Sequence, residues 1–135
     1  MKKIFSIILL LAIFSVVKAQ GNLQFNRVFL VEHSFIVPIN ILGPFSEISF
    51  TVPAGKVWKV ESVMANLYNS NGSLSTSMAV MINNKSLYHI GVMASFPIWL
   101  PEGTYTLRLA YTSNTGLTNN TAYGGISGIE FNVIP

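Results

Sequence analysis

The side chains that could carry chemistry are few in this sequence, and their types exclude more than they offer. Asp and Cys are both absent. Without Cys there is no thiol nucleophile, no disulfide staple and no cysteine-linked lipid anchor. A Ser-His-Asp triad would have to use Glu as its third member, and neither His33 nor His89 lies near a Gly-x-Ser-x-Gly elbow. The two histidines are far apart and form no His-x-His pair, so they give no three- or four-donor metal set. An Asp-rich calcium loop is excluded for want of Asp. Glycoside hydrolysis needs two carboxylates roughly 5 to 9.5 Å apart. Glu47, Glu61 and Glu130 are the candidates, but each stands alone on a predicted strand, where an isolated charge keeps the outer face wet and discourages edge pairing. No catalytic residue, metal or cofactor is expected.

Aromatic rings remain. Trp58, Trp99, Tyr68, Tyr88, Tyr111 and Tyr123 could offer flat faces to sugar rings, with Asn and Ser nearby to bond hydroxyls. Trp58 shares its register with Val60 and is expected inside. Tyr123 stands beside Gly124 and Gly125 in a polar stretch running from Ser113 to Gly125, and Tyr68 opens another from Asn66 to Ser77. These two tyrosines, in predicted loops, are the candidate ligand-binding residues. Asn71-Gly72-Ser73, Asn84-Lys85-Ser86 and Asn119-Asn120-Thr121 match the N-glycosylation pattern, as chance predicts in a chain so rich in Asn, Ser and Thr.

The elements that must position these residues are strands. Tyr105, Leu107, Leu109 and Tyr111 alternate with Thr104, Thr106, Arg108 and Thr112, the period of a half-buried strand. Ile48, Phe50 and Val52 alternate with Glu47, Ser49 and Thr51 in the same way, and Ile129, Phe131 and Val133 with Glu130 and Asn132. Phe50, Val52, Trp58, Leu107, Leu109, Ile129, Phe131 and Val133 are therefore predicted to share one interior. Lys56 to Tyr68 is long for a strand, and its alternation slips near Ser62, which predicts a bulge. Asn83-Asn84-Lys85 is predicted to turn a hairpin, and Pro53-Ala54-Gly55 and Pro101-Glu102-Gly103 each to introduce a strand. Pro38 marks Phe35 to Ile41 as an edge. Eight or nine short strands with no helical segment predict an all-β fold: one antiparallel β-sandwich, of jelly-roll type.

Phe50 to Val63 and Pro97 to Tyr105, with their Pro-Ala-Gly and Pro-Glu-Gly turns beside Trp58 and Trp99, resemble the strand-turn-strand segments of small β-sandwich modules in bacterial surface proteins and phage tail or fibre proteins. The resemblance implies assembly or adhesion and carries over no functional residue.

The N-terminus indicates where such a domain works. Lys2 and Lys3 precede an apolar run from Ile4 to Val17, and Val17-Lys18-Ala19 supplies a cleavage site. Residues 1–19 read as a signal peptide and residues 20–135 as a single domain that is secreted, surface-bound or periplasmic. The run is shorter than the roughly 20 apolar residues of a membrane span, and no later stretch supplies one. Without the three signal lysines, Arg27, Lys56, Lys59, Lys85 and Arg108 are balanced by Glu32, Glu47, Glu61, Glu102 and Glu130. A neutral, charge-poor surface offers nothing to nucleic acid and little resistance to self-association.

The residues of Leu23 to Glu32 are apolar on both faces, and a sandwich hides only one. Val28 and Leu30, or their opposite neighbours Phe29 and Val31, therefore need a second cover, and Val28 and Leu30 are the candidates expected to meet another copy in a homo-oligomer or polymer. The leading expectation is an exported, non-enzymatic structural or adhesive subunit working through protein–protein contacts, with a glycan or surface receptor as a further partner. A small carbohydrate-binding module is the second reading and an outer-membrane β-barrel the third.

Overall fold

A computed structural model describes residues 23–38, 41, 43–68, 72–75, 77–112 and 120–134. The expected signal peptide, and parts of both expected polar loops, lie outside the described residues. Ten strands follow one another: β1 (Leu23–Val37), β2 (Phe45–Val52), β3 (Lys56–Tyr68), β4 (Leu74–Ser75), β5 (Met78–Ile82), β6 (Lys85–His89), β7 (Val92–Met93), β8 (Ile98–Leu100), β9 (Gly103–Tyr111) and β10 (Asn120–Val133). No helix occurs among the described residues. The first sheet runs β1-β10-β3, with both β4 and β8 on the far side of β3, and the second runs β2-β9-β5-β6-β7. All pairs are antiparallel. The chain changes sheet from β1 to β2 to β3 and from β8 to β9 to β10, which is the jelly-roll interleaving of a β-sandwich. Separate edges and a filled interior distinguish it from a closed barrel.

Turn chemistry explains where strands stop. Asn83 and Asn84 take φ of 47° and 65°, the doubly positive pair that a two-residue hairpin demands and that Asn tolerates. Gly55, at φ 69°, closes the turn in which the Lys56 amide donates to the Pro53 carbonyl at 3.1 Å. The bulge lies one residue from its expected place. Ser62 pairs Ser127 but Val60 pairs Gly128, leaving Glu61 as the extra residue. Gly128 is needed there, since a Cβ would fall 2.0 Å from the Lys59 carbonyl oxygen.

The interior is apolar and aromatic. Val52, Trp58, Val60, Leu67, Val80, Leu107, Leu109 and Ile126 are all buried, and Phe50 packs against them. Phe29 stacks on Trp58 at 4.0 Å, Trp58 on Phe50 at 5.6 Å and Phe50 on Tyr105 at 5.6 Å, a column of rings tying the two sheets together. The Tyr105 hydroxyl donates to the Pro101 carbonyl at 2.9 Å, and burial pushes its phenol above the usual pKa.

Three expectations need correction. Leu23 to Val37 is one long strand, not two, and it stops just before Pro38; as an edge strand it has β10 as its only neighbour among the described residues. Tyr123 lies within β10 rather than in a loop. The facing of β10 is also the reverse of that predicted at its C-terminal end. Ala122, Gly124, Ile126 and Glu130 point inward and are buried, whereas Ile129 and Phe131 are half-buried on the outer face and Val133 is half exposed. The reason is steric on one side and polar on the other. A Cβ on Gly124 would meet Leu109 Cδ2 at 2.4 Å, so this part of the interior admits only a small residue, and Glu130 finds partners inside.

Candidate functional site

Antiparallel register arranges the outer face of the first sheet in rows across β1, β10 and β3. Phe25, Phe131 and Val57 form one row. Val28, Ile129, Lys59 and the Trp99 of β8 form the next, followed by Leu30, Ser127 and Ser62, and then by Glu32, Gly125 and Met64. Ser34, Tyr123 and Asn66 come next, and the last row holds Ile36, Thr121, Tyr68 and the Leu74 of β4. Side chains two apart on a strand share a face, so these residues form one continuous surface.

That surface is unusually apolar for one facing solvent. Val28 is 73% exposed and Leu30 62% exposed, and Phe25 and Ile36 are exposed on the same strand. Their inward neighbours Phe29 and Val31 belong to the core, so β1 is apolar on both faces, as its sequence implies. Among the described residues no further strand lies beyond β1 to take up its outward-pointing N–H and C=O groups. A long, unpaired edge that also carries exposed apolar side chains is a template for another chain.

The opposite end of the face is built differently. Tyr68 and Tyr123, far apart in sequence, stand on adjacent strands with ring centroids 5.6 Å apart and planes at 81°. The register that pairs Tyr123 with Asn66 and Thr121 with Tyr68 brings the rings together. Both rings are part-exposed. A shallow hollow of about 460 Å³ is lined by Met64, Asn66, Tyr68, Thr121 and Tyr123. A second, of about 370 Å³, shares Met64 and Tyr123 and is bordered by Glu32, His33 and Ser34. His33 itself is tied to the second sheet by a 2.8 Å hydrogen bond between its Nε2 and Ser46 Oγ. A more apolar cleft of about 450 Å³ lies near Leu87, Ile98, Trp99 and Tyr105 at the opposite edge of the sandwich.

Glu130 is the one buried charged residue among those described, and the sequence reading missed its role. It occupies a row with Arg27 on one side and Trp58 on the other. Trp58 Nε1 donates to Glu130 Oε2 at 2.7 Å, and Arg27 donates from Nε to Oε1 at 3.1 Å and from Nη2 to Oε2 at 3.4 Å. A β-bulge at Asn26 adds an amide donor to the same carboxylate. Burial alone would raise this carboxyl, but the hydrogen bonds from Trp58, Asn26 and Arg27 and the charge of Arg27 outweigh it and hold the pKa below its ordinary value. With the Trp58 N–H, the Asn26 amide and the Arg27 guanidinium all directed at one carboxylate, the cluster acts as a clamp that satisfies the buried indole. Glu47, Glu61 and Glu130 do not converge: Glu47 pairs Arg108, Glu61 pairs Lys59 and Glu130 pairs Arg27. Among the described residues no three His or Glu side chains gather as a metal site. No protein-family model, curated protein or solved structure matches the chain.

Proposed function

We propose that the mature chain is an exported, non-enzymatic structural or adhesive subunit that works outside the cell through protein–protein contacts, with β1 as its self-association surface. The observation that carries this reading is that exposed Val28 and Leu30 stand on a strand whose outer edge no described strand pairs. Contiguous apolar surface on a soluble domain marks an interaction site, and a free strand edge gives that interaction a direction. A second copy adding antiparallel to β1 would pair the open backbone groups and cover the outward apolar residues together. The sparse, balanced charge leaves no long-range repulsion to oppose it.

The test is sedimentation of the mature protein over a range of concentrations. Association that rises with concentration is expected. Val28→Lys and Leu30→Lys are each expected to shift it toward monomer while changing subunit stability by no more than about 0.5 kcal/mol, because both sites face solvent. A concentration-independent monomer would overturn the reading.

A further inference from the structure

We propose that the corner formed by Tyr68 and Tyr123, with Asn66 and Thr121, is a binding site for a neutral saccharide whose pyranose ring stacks its C–H face on a tyrosine. The site lies within one subunit and does not depend on assembly. The row of Glu32, Gly125 and Met64 separates Tyr123 from Leu30, and Val28 is one row further away.

The rings are pre-organised. Their edge-to-face contact, at 5.6 Å and 81°, fixes the tilt of each before any ligand arrives, so little side-chain freedom remains to be lost on binding. Both stand on the two most extensively paired strands of the sheet, β3 and β10, rather than on loops. Between them Asn66 offers amide donors and an acceptor, and Thr121 a hydroxyl. On the other side of Tyr123 lie Ser34 and Glu32, so a hollow lies on each side of this ring across the strands, with Met64 and Tyr123 lining both. Gly125, next on the same face, is buried, and a Cβ there would fall 2.6 Å from the Val31 carbonyl oxygen, so only glycine lets β1 lie this close to β10 beside Tyr123.

The chemistry of the lining selects the ligand class. Among the described residues no Lys or Arg lines either hollow, so a phosphate, a nucleotide or an acidic sugar would find no counter-charge there and would meet Glu32 in the second hollow. A wholly apolar ligand would need enclosure that two shallow hollows do not give, and would leave Asn66 and Thr121 without partners. A neutral sugar ring has both an apolar C–H face for the tyrosine and hydroxyls for the amide, hydroxyl and carboxylate around it.

The experiment presents the purified mature protein to an array of immobilised neutral glycans that includes β-linked glucan, xylan, galactan, mannan and chitin oligomers. Retention on at least one of these is expected. Tyr123→Ala and Tyr68→Ala should each weaken it about tenfold or more, as loss of a central aromatic contact does. Tyr123→Phe, which keeps the ring, and Leu30→Lys, which acts only at the association surface, should each retain binding. Melting temperatures of the four variants show whether any loss is local. No retention on any neutral glycan, retention that survives both alanine substitutions, or retention confined to acidic glycans and abolished by salt would each overturn the proposal.

Discussion

The two outer faces of the sandwich solve the same problem in opposite ways. On the second sheet, Thr51 stands opposite Thr104 with hydroxyls 3.5 Å apart, Ser49 opposite Thr106, and Glu47 opposite Arg108 in an ion pair. Arg108 also covers Phe45, with its guanidinium carbon 4.5 Å from the ring centre. Nearly every outward group on β2 and β9 is thus polar or covered within the subunit. The first sheet turns Val28, Leu30, Ile36, Tyr68 and Tyr123 to solvent. Both sheets contribute their inner faces to one buried core, so core formation does not explain the difference. On β2 and β9 the outer face is finished apart from Phe45, which Arg108 only part-covers, while Val92 and Met93 at the β7 edge stay exposed. The face of the first sheet, apolar from β1 to β3, is consistent with a surface that meets a partner.

The largest effect separates inside from outside on the finished sheet. Leu107 is fully buried on β9 and Thr106, its neighbour, faces out. Leu107→Ala should cost about 2 to 5 kcal/mol in chemical denaturation, through lost burial and the cavity left behind. Thr106→Ala should cost no more than about 0.5 kcal/mol. Similar costs at the two positions would mean that the second sheet's outer face is also covered, and the contrast between the faces would disappear.

Next comes the clamp beneath the first sheet. Glu130→Gln keeps an acceptor for the Trp58 N–H but loses the charge that Arg27 and Asn26 meet, and should cost about 1 to 3 kcal/mol near neutral pH. The dependence on pH has a definite sign. Folding lowers the carboxyl's pKa, so its contribution is present above the unfolded value near 4.5 and is lost as pH falls through the folded value. Thermal melts from about pH 7 down to about pH 3 should therefore show the wild type losing its advantage over Glu130→Gln only on the acid side. An advantage that stayed constant across that range would show that the charge contributes nothing.

Glu130 also marks the limit of what the sequence reveals. Clean alternation on Glu47 to Val52 and Thr104 to Tyr111 placed Val52, Leu107 and Leu109 inside, and Trp58 followed from its register with Val60. Strict two-residue periodicity works there because one face is wholly polar. In β10 the apolar residues Ile129, Phe131 and Val133 suggested one facing, but the inward set is instead Ala122, Gly124, Ile126 and Glu130. The signal lay in the small residues. It was overridden because nothing local announces that Arg27, Asn26 and Trp58 converge on a glutamate from strands distant in sequence. The juxtaposition of Tyr68 with Tyr123 was invisible for the same reason. The sequence points to each ring singly, at the margin of a polar stretch, and only the β3–β10 register sets them side by side.

The smallest effect returns to the finished face. Arg108 has two partners, the Glu47 carboxylate and the Phe45 ring, and both lie at the surface with side chains of the ion pair about one third exposed. Solvent screens such a pair, so a double-mutant cycle with Glu47→Gln and Arg108→Met should give a coupling of about 0.2 to 1 kcal/mol, smaller at high salt. Coupling between Arg108 and Phe45 should be of similar size but less sensitive to salt, because it rests on a ring quadrupole and on contact rather than on two net charges. Neither cycle should alter the sedimentation of the protein, since these groups satisfy one another within a subunit. A change in oligomer size on breaking the Glu47–Arg108 pair would mean that the second sheet also carries a contact surface, and that the two outer faces differ in strength of association rather than in kind.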